Sequence, residues 1–136
     1  MTGHLGLDLS ASTNTPVYAP IAGTCHSFHN NDTAGDYGPT IILEHNIDDT
    51  RFYTLYGHLT QQSLEPLEQQ SDFAAGELLG HIGDVSENGG WPPHLHFQII
   101  RDIGDYRGNF PGVCHKKEAT QWLLRCPDPN LLLKLF

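Results

Sequence analysis

Basic side chains are almost missing from the first hundred residues, where Arg51 stands against 12 acidic residues. Residues 101–136 reverse the balance, with six Lys/Arg and four Asp/Glu, and the 136-residue chain carries a net charge of −9. A body this acidic disfavours nucleic acid or an anionic membrane surface as a partner. Cysteine is also scarce. Cys25, Cys114 and Cys126 are odd in number and lack Cys-x-x-Cys spacing, which argues against a disulfide framework and leaves at least one thiol unbridged. No apolar run approaches the ~20 residues that a membrane-spanning helix needs. No N-terminal signal pattern, internal repeat or low-complexity tract is present.

What the chain does have is turn chemistry. Its 14 glycines and 9 prolines separate many short apolar runs, the pattern of an antiparallel all-β domain, and its length suffices to bury one core without disulfide or metal staples. Strands are expected near 5–10, 15–19, 24–29, 39–46, 51–59, 77–83 and 94–101. Turns are expected at PIAG (20–23), NNDTAGDYG (30–38), NIDD (46–49) and SENGG (86–90).

Three of these strands carry chemistry. In HLGLDLS, His4, Gly6 and Asp8 share one side while Leu5, Leu7 and Leu9 share the other. In HLHFQII, Leu95, Phe97 and Ile99 face a core and His94, His96 and Gln98 face away; in FYTLYGHL, Phe52, Thr54, Tyr56 and His58 align. Neutral imidazole and carboxylate suit a borderline ion such as zinc, and a catalytic zinc keeps three protein ligands and one open position. His4, Asp8, His58, His94 and His96 exceed that number, leaving two for proton transfer. On a straight strand the Cα atoms of His4 and Asp8 would stand about 13 Å apart, too far to share one ion comfortably, which predicts a bend or bulge near Gly6.

The H-x-G-x-D opening, TPVYAPIAG, Y-x-H-L, AGELLGHIGD and the closing H-x-H together resemble the LytM/lysostaphin-type zinc metallopeptidases of bacteria and phages, over about residues 3–100. The resemblance implies a two-sheet antiparallel β-sandwich, a barrel-sandwich hybrid, with a groove holding one zinc ion. It implies His4, Asp8 and His96 as zinc ligands and His58 and His94 as catalytic histidines, with His94 favoured as base and His58 as stabiliser of the intermediate. The expected activity is endopeptidase cleavage of a peptide amide, with peptidoglycan peptide as a candidate substrate. The chain departs from the family pattern in three ways. Upstream sequence that usually adds groove wall, and a tyrosine often supplied from it, has no counterpart. GGWPP replaces small residues before H-x-H, placing Trp91 at the rim. Gln98 replaces a frequent glutamate.

Residues 1–101 form the expected catalytic domain. Residues 102–136 form an extension, with a short helix over KKEATQWLLR (116–125) and an apolar end, NLLLKLF, suited to docking on this domain, on another copy or on a further domain. RGNFPGV and CPDPNLLL look similar to peptidase-like modules set between a sugar-kinase-like phosphotransferase and a class III aminotransferase, which implies a module of a longer polypeptide and a small metabolite amide as an alternative substrate. Cysteine usage favours the cytoplasm; an upstream signal would make the protein exported or wall-associated.

The remaining polar residues read more plainly. His26, His29, His45, His81 and His115 are expected at the surface or satisfied by hydrogen bonds, and Asp32, Asp36, Asp48 and Asp49 are solvated loop acids without a calcium-loop pattern. Tyr56 and Trp91 are candidates to line a substrate groove, with plain packing the competing reading. Two other function classes stand beside the peptidase. One is a nonhydrolytic binding or regulatory module; the other is a non-haem iron oxygenase, since two histidines and a carboxylate also form the iron facial triad.

Overall fold

The computed structural model describes residues 2–4, 6–68, 70–115 and 126–127. Its strands are β1 (Thr2–His4), β2 (Leu7–Ser10), β3 (Pro16–Tyr18), β4 (Gly23–Asn31), β5 (Gly38–Ile47), β6 (Thr50–Gly57), β7 (Asp72–Phe73), β8 (Leu78–His81), β9 (His94–Ile100) and β10 (Val113–His115). All seven expected strands are present. The short strands β1, β7 and β10 were not foreseen, because two or three residues carry too little periodicity to read. The expected helix over 116–125 and the apolar end 130–136 lie outside the described residues.

Every strand pairing among the described residues is antiparallel. Six strands form one sheet in the order β2-β9-β6-β5-β4-β7, and β3 pairs with β8 and β1 with β10 in two smaller sheets. Alternation gives the six-stranded sheet two buried faces. On one, Cys25, Ile41, Leu43, Tyr56, Leu95, Phe97 and Ile99 pack against Val17, Ala19, Leu79 and Ile82 from the β3–β8 layer and its flanks. On the other, Ile42, Tyr53, Leu55 and Ile100 pack with Tyr37, Ile103, Phe110 and Cys126. The described residues after Ile100 thus cover the sheet face that carries the histidines of β9. Burial pushes the Cys25 thiol up to about 11, so it behaves as a small core residue.

Two local devices set the register. A bulge at His26 shifts β4 by one residue against β5, so Cys25 pairs with Leu43 while Phe28 pairs with Ile41, and both join the same core. Asp48 and Asp49 take φ of 51° and 64° between the paired Ile47 and Thr50, the left-handed conformation of a two-residue type I′ hairpin that short polar side chains tolerate. A buried polar chain crosses the first core. His45 donates from Nδ1 to the Ala22 carbonyl at 2.7 Å, its Nε2 accepts from Thr54 Oγ1 at 2.7 Å, and Thr54 accepts from Tyr56 Oη at 2.7 Å.

Candidate active site

The register between β2 and β9 sets Asp8 directly opposite His96, and that between β6 and β9 sets Gly57 on its other side. Directly opposed residues point to the same face, so a carboxylate and an imidazole more than eighty residues apart in sequence become neighbours. Asp8 Oδ1 lies 3.1 Å from His96 Nδ1 and 3.7 Å from His94 Nε2. The other ring nitrogen of His96, Nε2, lies 2.9 Å from Gln98 Oε1. An amide oxygen only accepts, so Nε2 carries a proton and, in the neutral ring, Nδ1 holds a lone pair aimed at the carboxylate. Both ring nitrogens thus face acceptors, so the position between Nδ1 and Asp8 is taken by a proton or by a metal cation in its place. Two ligands of a tetrahedral zinc with bonds of about 2.0–2.1 Å stand roughly 3.3 Å apart, so the donor pair fits the expected ion.

His4 ends β1 opposite Val113 on β10. Its side chain lies outside the described residues, and among those residues no group of three His, Cys, Asp or Glu side chains is placed to hold a metal. The expected bend is present: Gly6 is a bend between β1 and β2. A Cβ on Gly6 would stand 2.6 Å from His96 Nε2 and 2.8 Å from the Phe97 carbonyl oxygen, so glycine is needed here to let the backbone pass under the ring.

His58 follows the end of β6 with φ of 64°, its N–H donating to the Tyr37 carbonyl at 2.7 Å. Its Nδ1 donates to the Asn88 carbonyl at 2.8 Å, which leaves the lone pair on Nε2. His94 repeats this design, with Nδ1 donating to the Pro92 carbonyl at 2.7 Å. The two rings lie 4.3 Å apart between centroids. Burial, the largest influence, lowers the pKa of His58 to about 4, with the neighbouring His94 and His96 adding to the effect and the Asn88 carbonyl opposing it.

These rings border a groove of about 440 Å³ whose walls include Tyr37, Trp91, Phe110 and Pro111. Trp91 lies at the rim as expected, 42% exposed and donating from Nε1 to the Asp36 carbonyl at 3.2 Å. Tyr56 does not line the groove. It is 1% exposed, packs on Phe97 and belongs to the opposite face of the sheet, because it stands one residue out of phase with the histidine-bearing face. The tyrosine at the site is Tyr37, whose ring lies 4.9 Å from His96 and 5.8 Å from His58 and whose hydroxyl donates to the Phe110 carbonyl at 2.9 Å. A lone aromatic in the glycine- and aspartate-rich NNDTAGDYG segment was the available signal. Asn88 was missed as well. It is fully buried, its side chain bonds to Gly83, Gly90 and Trp91, and this shapes the loop whose carbonyl orients His58.

The buried histidines make stability pH-dependent. His58 titrates near 4 folded and near 6.5 unfolded, and burial lowers His45 in the same direction. Between these values the unfolded chain binds more protons, so stability present above pH 6.5 is lost as pH falls toward 4, by about 3 kcal/mol at most for His58. Urea denaturation of metal-free protein should therefore show a lower midpoint at pH 4.5 than at pH 7.5, with a smaller difference in His58→Gln. An equal midpoint difference in the two proteins would refute this assignment.

A family model described as Peptidase family M23 matches residues 2–108. An uncharacterized metalloprotease of Haemophilus influenzae is 28% identical over 137 residues, which cover 96% of this chain, and the chain spans 27% of that relative's length. The catalytic domain of lysostaphin, an antimicrobial peptidase from Staphylococcus simulans, superposes with a TM-score of 0.67 at 24% identity, over 96% of this chain and 79% of that one. A chain of the SpoIIIAH–SpoIIQ complex superposes with a TM-score of 0.57 at 23% identity, over 73% of this chain and 64% of that one. The structural likenesses establish a shared fold, and the family match spans Asp8, His58, His94 and His96: the chain belongs to peptidase family M23.

Proposed function

We propose that this metallopeptidase is a zinc-dependent endopeptidase, with Asp8, His96 and His4 as metal ligands and His58 and His94 as the proton-handling pair. The observation that carries the reading is the approach of Asp8 Oδ1 to His96 Nδ1 at 3.1 Å on the border of a groove flanked by two further imidazoles. When bound, zinc supplies Lewis-acid polarisation of the scissile carbonyl and makes water a better nucleophile near neutral pH.

The chain's own residues handle the protons. The Nδ1–H groups of both His58 and His94 are held by backbone carbonyls, so each ring offers Nε2 to the groove. A neutral, buried His58 cannot donate to an oxyanion from Nε2; it can accept a proton there. We therefore assign His58 as the base that takes the proton from the attacking water, reversing the sequence-based preference, which would need a cation where burial resists one. His94, whose Nε2 lies 3.7 Å from Asp8 Oδ1 at the groove, is the second proton-handling group and donates to the developing oxyanion when it has taken up a proton from solvent. The proton on His58 passes to the leaving amine as the C–N bond breaks.

The open groove supports a peptide over a small amide as substrate, and peptidoglycan peptide is the proposed class. Metal analysis of protein purified without added metal should find one zinc per chain, and a screen of glycine-rich peptides, wall fragments and small amides should show cleavage of a peptide. Iron with oxygen-dependent turnover would point to an oxygenase, and absence of tight metal to a binding module.

A further inference from the structure

Gln98 is fully buried on β9, two residues beyond His96 and on the same face of the strand. Its side chain has no choice of orientation. The Nε2 amide donates to the Pro111 carbonyl at 3.0 Å and to Cys126 Sγ at 3.2 Å. A carbonyl only accepts, so the end facing Pro111 must be the NH2 group and the end facing His96 must be the oxygen. Both partners lie beyond residues 2–108, the part of the chain matched by the family model.

We propose that Gln98 is a positioning residue that holds His96 in the Nε2–H tautomer, and that Pro111 and Cys126 impose this by locking the amide. The inference rests on the metal-site reading for its consequence: the locked tautomer keeps the Nδ1 lone pair on the side of Asp8, where the cation is held. Were the amide reversed, its NH2 would face His96 Nε2, the ring would carry its proton on Nδ1, and that proton would occupy the cation position. Partners that fix a ligand imidazole in this way typically change metal affinity by about 10–100-fold when removed.

Gln98 also differs from a glutamate here in a definite respect. A carboxylate would still accept from His96 but would set its second oxygen against the Pro111 carbonyl. Gln98→Glu should therefore keep the metal site while weakening the hold on the segment after Ile100.

Long-range proton–nitrogen NMR of the metal-free wild-type protein at pH 9 should place the His96 proton on Nε2; a proton on Nδ1 overturns the proposal regardless of any variant. Competition with a chromophoric chelator should then show zinc affinity reduced by about 10–100-fold in Gln98→Leu and largely restored in Gln98→Glu, with a lower melting temperature for the latter. Wild-type affinity in Gln98→Leu, or a loss in Gln98→Glu equal to that in Gln98→Leu, also overturns it. Failure of the wild-type protein to bind zinc would instead sink the metal-site reading, and the tautomer measurement would still decide the role of Gln98.

Discussion

Replacing His94 with alanine is expected to lower peptide hydrolysis by about 10²–10⁴-fold while leaving metal uptake close to that of the wild type, since the proposed role of the imidazole is to act on protons and not to bind the metal. His58→Ala should behave in the same way. His94 stands at the start of β9, and among the described residues its side chain bonds to the Pro92 carbonyl and approaches Asp8, so its truncation leaves the strand pairing intact. His96→Ala differs in kind. It removes the group that faces Asp8 and should abolish both metal binding and turnover, and His4→Ala is expected to match it. Metal titration alongside single-turnover kinetics separates the two classes. Turnover at the wild-type rate in metal-loaded His94→Ala would remove that residue from the mechanism, and metal loss in the same variant would make it a ligand.

Gly6→Ala should damage the site without replacing any proposed ligand. The added methyl group would meet His96 Nε2 at 2.6 Å, His96 Cε1 at 2.7 Å and the Phe97 carbonyl oxygen at 2.8 Å. Neither neighbour can yield readily. The ring is held between Asp8 and Gln98, and the Phe97 carbonyl belongs to the strand paired with β2, so relief requires β2 to part from β9 or His96 to rotate. Overpacking of this kind costs about 1–3 kcal/mol, and a displaced ligand ring should weaken metal binding by about 10–100-fold. Denaturation midpoints and chelator competition measure the two effects. A Gly6→Ala protein with wild-type stability and affinity would mean that the contact is not restrictive.

Much of the site was legible because it is written in local patterns. Period-two alternation put His94, His96 and Gln98 on one face of β9, and the spacing of His4 and Asp8 demanded the break at Gly6. The reason for the glycine was only half visible: the sequence asked for a bend, and the fold adds the close passage under the His96 ring. Tyr56 shows where such reading stops. Its motif was right and its face was wrong, because Tyr56 precedes His58 by two residues across the end of β6, where His58 leaves the strand with positive φ and turns to the groove face. Tyr37 and Asn88 were passed over because both sit in segments that read as turns, and neither reveals from sequence which strand its loop will cover.

The sequence by itself determined the strand-rich class, the positions of the seven main strands and which imidazoles and carboxylate stand as candidates for the site. These depend on neighbours within a few residues, where backbone geometry and side-chain periodicity act directly. Tertiary structure alone decided that Asp8 stands opposite His96, that the bulge at His26 returns Phe28 to the core, that Tyr37 rather than Tyr56 walls the groove, and that Pro111 and Cys126 orient Gln98. Each of these joins segments through strand register and loop closure, and a shift of one residue in register would turn every side chain of the strand to the other face.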